Sequence, residues 1–136
     1  MLDKHYKQFE IEPEIIDFKH GLSYLCGSFL RYIARYNTIE RDKANVEDLQ
    51  KCLQWCLPRT YNYLDSEVLI QYPHGIGRTI NYFCNANNLN DFQKRVLRNY
   101  FLGLEYYSSL GELKAIELIY EAENDIKKEI KKQSCQ

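Results

Sequence analysis

Three cations, a histidine and two tyrosines early in the chain have the types and spacing of an anion site: Arg31, Arg35 and Lys43, with His5, Tyr6 and Tyr32. A guanidinium is a planar fork that can take two oxygens of one phosphate, and two forks one helical turn apart can hold one phosphate or two linked ones. Lys43 would add a point charge and His5 a hydrogen bond, while Tyr6 or Tyr32 would stack on a base. Gly27 stands one turn before Arg31. Each step of four residues advances roughly 40° beyond a full turn, so Gly27, Arg31 and Arg35 share one slowly drifting stripe of a helix. A glycine on that stripe admits close approach of a ligand or of a partner helix. A purely structural reading competes with this one. Arg31 and Arg35 would then pair with Glu47 and Asp48, the acids that follow the next connection. The two readings can coexist, because an acid can orient an Arg that also binds a ligand.

These residues converge only if the chain folds back on itself between them. Phe29, Ile33 and Tyr36 lie opposite the basic stripe and predict a core-facing side for a helix from about Leu22 to Tyr36. After the charged connection TIERDKA, Asn45 is a natural N-cap, with Asp48 three residues later in a capping-box-like position. Leu49, Leu53, Cys56 and Leu57 then recur at helical spacing. Residues 27 to 55 therefore read as a helical hairpin with cations on one arm and acids at the start of the other.

The remaining elements are also helical. Pro13 suits the first turn of a short helix. Pro58 is expected to kink or end the helix that Asn45 opens, since it removes a backbone donor. Residues 65–71 read as a short helix and Tyr72 to Gly75 as a turn. A helix is expected over Ile76–Ala86, with Ile80 and Phe83 inward. Asn90 is a second N-cap, for a helix from Asp91 to about Tyr106 that carries Phe92, Val96, Tyr100 and Leu104. Ser108-Ser109 is expected to break it, and Ser109 with Glu112 forms a capping-box pattern for a last helix striped by Ala115, Ile119, Ala122, Ile126 and Ile130. No segment alternates as a strand would. The fold class is all-α: two packed helical hairpins in one domain over residues 1–136, the first within 4–64 and the second, with the C-terminal helix, within 65–136. Leu30-Arg31 recurs as Leu97-Arg98, and Asp48-Leu49 is echoed by Glu112-Leu113, so a degenerate duplication is one account of the two pairs. Leu102 falls where an Arg35 equivalent would stand, which would leave the basic site in the first copy only.

The order of these residues resembles a phage protein family, the SaV-like family of unknown function, whose members often carry the label nucleotide kinase. That family's pattern is a His-Tyr pair, an I-x-P-x-x-x-I stretch, Gly-x-x-x-Lys-Tyr-x-x-Arg, a downstream Lys and Asp-Leu-x-Lys-x-x-x-Tyr. The chain has His5-Tyr6, then Ile11, Pro13 and Ile15. Gly27, Arg31 (in place of the Lys), Tyr32 and Arg35 follow. Lys43, Asp48-Leu49 and Lys51 continue the pattern, and Trp55 stands at the aromatic position. The match covers roughly residues 4 to 64. It implies a phage protein of an infected bacterial cytoplasm and a ligand site at His5, Tyr6, Gly27, Arg31, Tyr32, Arg35, Lys43, Asp48 and Trp55. It also implies nucleotide kinase activity as one role.

Composition narrows the classes of function. The formal net charge is −1, so there is no bulk attraction to nucleic acid and none is expected as a partner; an anion site must be a local cluster. The longest apolar runs fall far short of the ~20 residues of a membrane-spanning helix, and MLDKHYKQ has no apolar core of a signal peptide. The five cysteines lack a C-x-x-C pair and read as buried thiols in a reducing cytoplasm, although Cys52 and Cys56 share a helical face. No metal site is assigned. Glu40, Asp42, Glu47 and Asp48 could hold magnesium with substrate phosphates, but they form no E-x-x-E array. The nearest approach to a P-loop, YPHGIGRT at 72–79, lacks the first Gly and the Lys and follows no strand. The expected function is binding of a nucleotide or cyclic nucleotide, sequestering a signal of bacterial immunity, with a homo-oligomer as the expected state. The alternatives are a kinase acting on deoxynucleoside monophosphates, which alone would call for ATP and magnesium, and a helical module that binds a host protein.

Overall fold

The computed structural model describes residues 9–20, 23–36, 46–65 and 75–134. They form an all-α structure: α1 (Pro13–His20), α2 (Tyr24–Arg35), α3 (Val46–Lys51), a π-turn (Cys52–Cys56), α4 (Leu57–Asp65), α5 (Ile76–Ala86), α6 (Asp91–Leu110) and α7 (Glu112–Ser134). Helices α2 and α3–π–α4 face each other as the first hairpin, α6 and α7 as the second, and α5 lies against α6. No helix among the described residues is long and apolar enough to cross a membrane. Asn45, His20's side chain, the 66–74 stretch with His74, and Cys135 lie outside what is described, so the expectations placed on them do too.

The periodic residues supply the core as their spacing demands. Phe29, Ile33, Leu49, Ile80, Phe83, Val96, Tyr100, Leu104, Ile119 and Ile126 are all fully buried in one cluster that draws on both hairpins. Tyr100 stacks on Phe29, with centroids 3.8 Å apart, and so ties α6 to α2. Its hydroxyl sits at 2.9 Å from Thr60 Oγ1 in α4, which satisfies a polar atom that burial would otherwise make costly.

Helix α2 is capped at its start by its own flank, and its end is held from another helix. Ser23 caps its start, accepting from the Cys26 amide. At the other end the last carbonyls have no helical donor. Gln93 supplies one: its Nε2 lies 2.8 Å from Ile33 O and 2.7 Å from Tyr36 O. The same side chain closes a capping box with Asn90 at the start of α6. One buried glutamine therefore satisfies the C-terminus of α2 and the N-terminus of α6 together. Asn90 as a cap follows from sequence; the Gln93 contact does not.

Pro58 does not end its helix. The chain runs from α3 into α4 through the wider π-turn, in which the Leu57 amide donates to Cys52 O, five residues back. A proline ring clashes with the carbonyl four residues earlier and offers it no donor. The wider turn just before Pro58 takes up that mismatch, and the helix continues. A second correction concerns Ser108-Ser109, which does not break α6. The helix continues to Leu110 and ends at Gly111, whose φ of +91° is open to glycine alone at low energy. Ser109 lies inside α6, and α7 starts after Gly111 instead.

Candidate functional site

The polar centre of the first hairpin is a two-bond ion pair. Arg35 Nη2 lies 2.8 Å from Asp48 Oδ1 and Arg35 Nε lies 3.1 Å from Asp48 Oδ2. The Asp48 side chain is 1% exposed and that of Arg35 17%. The carboxylate thus faces Arg35 rather than solvent, at the start of α3 where the helix dipole also favours it. Asp48 holds the guanidinium from behind and presents no surface to a ligand. A pair this buried owes its stability to fork-on-carboxylate geometry, and removing one member strands the other.

Around that pair lies a face on which cations and rings alternate. The Arg35 guanidinium is 5.1 Å from the centroid of the Tyr32 ring, and Lys51 Nζ is 5.6 Å from the same centroid. About two turns further along α3–π–α4, the Arg59 guanidinium is 5.0 Å from the centroid of Trp55 and donates through Nη1 to Trp55 O at 3.2 Å. Tyr24 meets Trp55 edge to face, with centroids 5.7 Å apart. Two helical stripes build this surface. On α2, Tyr24, Arg31 and Arg35 follow at steps of seven and four, which keeps them within roughly 40° of one another. On the facing segment, Lys51, Trp55 and Arg59 follow at steps of four. The three cation–π contacts among the described residues all fall on this face.

The residues singled out from sequence divide into three groups. Tyr32 and Arg35 meet here, Trp55 stands four residues beyond Lys51 on the facing segment, and Arg31 shares the α2 stripe four residues before Arg35; all four are half-buried. Gly27 and Asp48 are buried. His5, Tyr6 and Lys43, with Glu40 and Asp42, lie outside the described residues. Spacing alone missed Tyr24 and Arg59 and left Lys51 out of the site. The i, i+4, i+8 run Lys51, Trp55, Arg59 was the available signal, obscured by the expected break at Pro58.

Cys26, Cys52, Cys56 and Cys84 are buried thiols in no disulfide. Burial pushes the Cys52 thiol well above its usual range, helped by Cys56 beside it and by the Asp48 carboxylate. Burial likewise raises the Tyr32 hydroxyl, with Arg35 pulling weakly the other way, so Tyr32 is a neutral ring and donor at neutral pH. Among the described residues no three His, Cys, Asp or Glu are placed to hold a metal ion. The arrangement can therefore stack planar groups and hold anions, with the acid of the site already committed to Arg35.

No family model, curated protein or solved structure matches the chain.

Proposed function

We propose that the α2/α3–π–α4 face binds a nucleotide or a nucleotide-derived phosphate ligand and holds it without turnover. The observation that carries this reading is the alternation of Arg35, Tyr32, Lys51, Trp55 and Arg59 on one face. Rings stack on bases, and flanking cations meet phosphate. The residue pattern shared with the SaV-like phage proteins supports the same site and sets it in an infected bacterial cytoplasm. In that setting the protein sequesters a nucleotide signal of host immunity. A ligand site completed by a second copy fits the same reading. The kinase alternative draws less support. Asp48, one of four acids that could hold magnesium, is buried against Arg35, and Ile76–Thr79 is the first turn of α5, with Gly75 as its N-cap.

The chain has a single tryptophan, Trp55, so its fluorescence reports on this face alone. Titration with deoxynucleoside monophosphates, ATP and cyclic nucleotides is expected to give saturable quenching. Intact ligand should then be recovered from the protein by proteolysis, with ATP unspent. Absence of quenching across the whole panel would sink the binding role, and consumption of ATP with appearance of diphosphates would replace it by the kinase.

A further inference from the structure

Three rings line the face, and two of them are already covered. Arg35 and Lys51 both lie against Tyr32, which is half-buried. Arg59 covers Trp55, whose flank meets Tyr24. Tyr24 is different: its ring is 77% exposed. An open phenol ring of this size on a helix is an unusual use of apolar surface unless something lies against it. Its position is fixed, because Ser23 caps the helix at the preceding residue and Trp55 buttresses one side at an interplanar angle of 82°. The two rings thus form the walls of a corner. Arg59, over the Trp55 ring, is exposed and spends one of its five N–H donors on Trp55 O. Tyr24 and Arg59 both lie against Trp55, at 5.7 Å and 5.0 Å.

We infer that Tyr24 and Arg59 are the recognition pair of the site: the base of a purine nucleoside monophosphate stacks on Tyr24 in the corner with Trp55, and its phosphate meets Arg59. The inference rests on the nucleotide reading above and names the class of ligand and the residues that select it. A purine is favoured over a pyrimidine because its two fused rings stack over more of the open Tyr24 ring. A short ligand is favoured over a long strand because a chain of net charge −1 has no extended field to hold a polyanion. Arg35 and Tyr32 then serve as the floor of the site, positioned by Asp48, rather than as the first contacts.

Calorimetric titration of the full chain with AMP, adenosine and ribose 5-phosphate tests this, with Tyr24→Ala, Tyr24→Phe, Arg59→Ala and Tyr32→Phe as variants and circular dichroism as the check on folding. Tyr24 and Arg59 are exposed, so their variants are expected to keep the wild-type melting curve. AMP should bind more tightly than either fragment. Tyr24→Ala and Arg59→Ala should each weaken AMP by about tenfold or more. Tyr24→Phe should restore it, and Arg59→Ala should leave adenosine unaffected. If AMP binds the wild type and is untouched by Tyr24→Ala and Arg59→Ala, this corner is not the recognition pair, and the nucleotide reading survives without it. If no nucleotide in the wider panel binds the wild type, the nucleotide reading itself falls, and this inference falls with it.

Discussion

Where α2 meets α3 and the π-turn, the contact is shared by a charged pair, two thiols and a tyrosine ring. Where α6 meets α7, it is Gly103 against Ile119 and the carbonyl of Ala115. Both are antiparallel helix pairs, but the second packs an apolar side chain and a backbone carbonyl directly against a glycine, and its ion pair, Arg95–Asp125, is partly exposed. The second hairpin has the longer helices, of 20 and 23 residues, and contributes Val96, Leu104, Ala115, Ile119, Ala122 and Ile126 to the core, all fully buried. The first breaks its second arm with a π-turn and buries an Asp. A polar interior contributes less to stability than well-packed apolar side chains of the same volume would. What it gives instead is a guanidinium with one fixed orientation beneath an exposed row of cations and rings. On the proposed reading, α6 and α7 serve as scaffold and the first hairpin carries the ligand.

The comparison can be broken most sharply at the ion pair. Arg35→Ala leaves a carboxylate that is 1% exposed without its partner, and is expected to destabilise by about 3–5 kcal/mol. Asp48→Ala should cost less, about 2–3 kcal/mol, because the abandoned guanidinium is 17% exposed and can turn toward water. Urea denaturation of the two variants checks both the size and the order; equal losses would mean that the burial of the pair is more symmetric than its exposures imply. Next comes Gln93→Ala, which strips the donor from the last carbonyls of α2 and removes a capping box, for about 1–3 kcal/mol.

In the second hairpin, a Cβ at Gly103 would sit 2.9 Å from Ala115 O and 2.8 Å from Ile119 Cγ1. The backbone carbonyl cannot swing aside, so Gly103→Ala should cost about 1–3 kcal/mol through forced separation of α6 and α7. It should leave ligand affinity unchanged, and a matching loss of affinity would erase the division between scaffold and site. The smallest effect is one of pH. Burial pushes the Cys84 thiol up to about 11 and raises Cys52 as well. Below the ordinary thiol range of about 8.5, folded and unfolded chains hold the same protons and these groups leave stability unaltered. Between there and about 11 the unfolded chain releases protons that the folded chain keeps, so stability falls as pH rises, by at most about 1.4 kcal/mol per pH unit for each such thiol. Denaturation midpoints at pH 8, 9 and 10 read this directly, and a midpoint that rises with pH would contradict it.

Much of the scaffold was legible in the sequence because burial enforces period. Phe92, Val96, Tyr100 and Leu104 mark α6, and Ala115 to Ile126 mark α7, since every one must reach the same core. Asn90 and the bounds of α5 were legible for the same local reasons. The C-terminal end of α6 was less so: Ser108-Ser109 is a weak helix stretch that two long packed helices override, while Gly111 supplies the real stop. Pro58 misled because a proline's effect depends on the turn before it, and a π-turn leaves no mark in composition. The site was half legible. Arg35 with Asp48 followed from spacing as one of two open alternatives. Tyr24 and Arg59 did not, because their importance lies in which rings are covered and which is bare, a property of packing rather than of residue type.

The claim that most needs testing is that the Arg35–Asp48 pair is support for the site and the outer row of cations and rings is the site. The double variant Arg35→Met/Asp48→Leu removes the pair without stranding either charge, so it is expected to fold with near wild-type stability or better. Its affinity for a nucleoside monophosphate, followed through Trp55, is predicted to stay within about threefold of wild type, a change of under about 1 kcal/mol. A variant that folds normally but no longer binds would show that Arg35 itself holds the ligand, and would contradict the account.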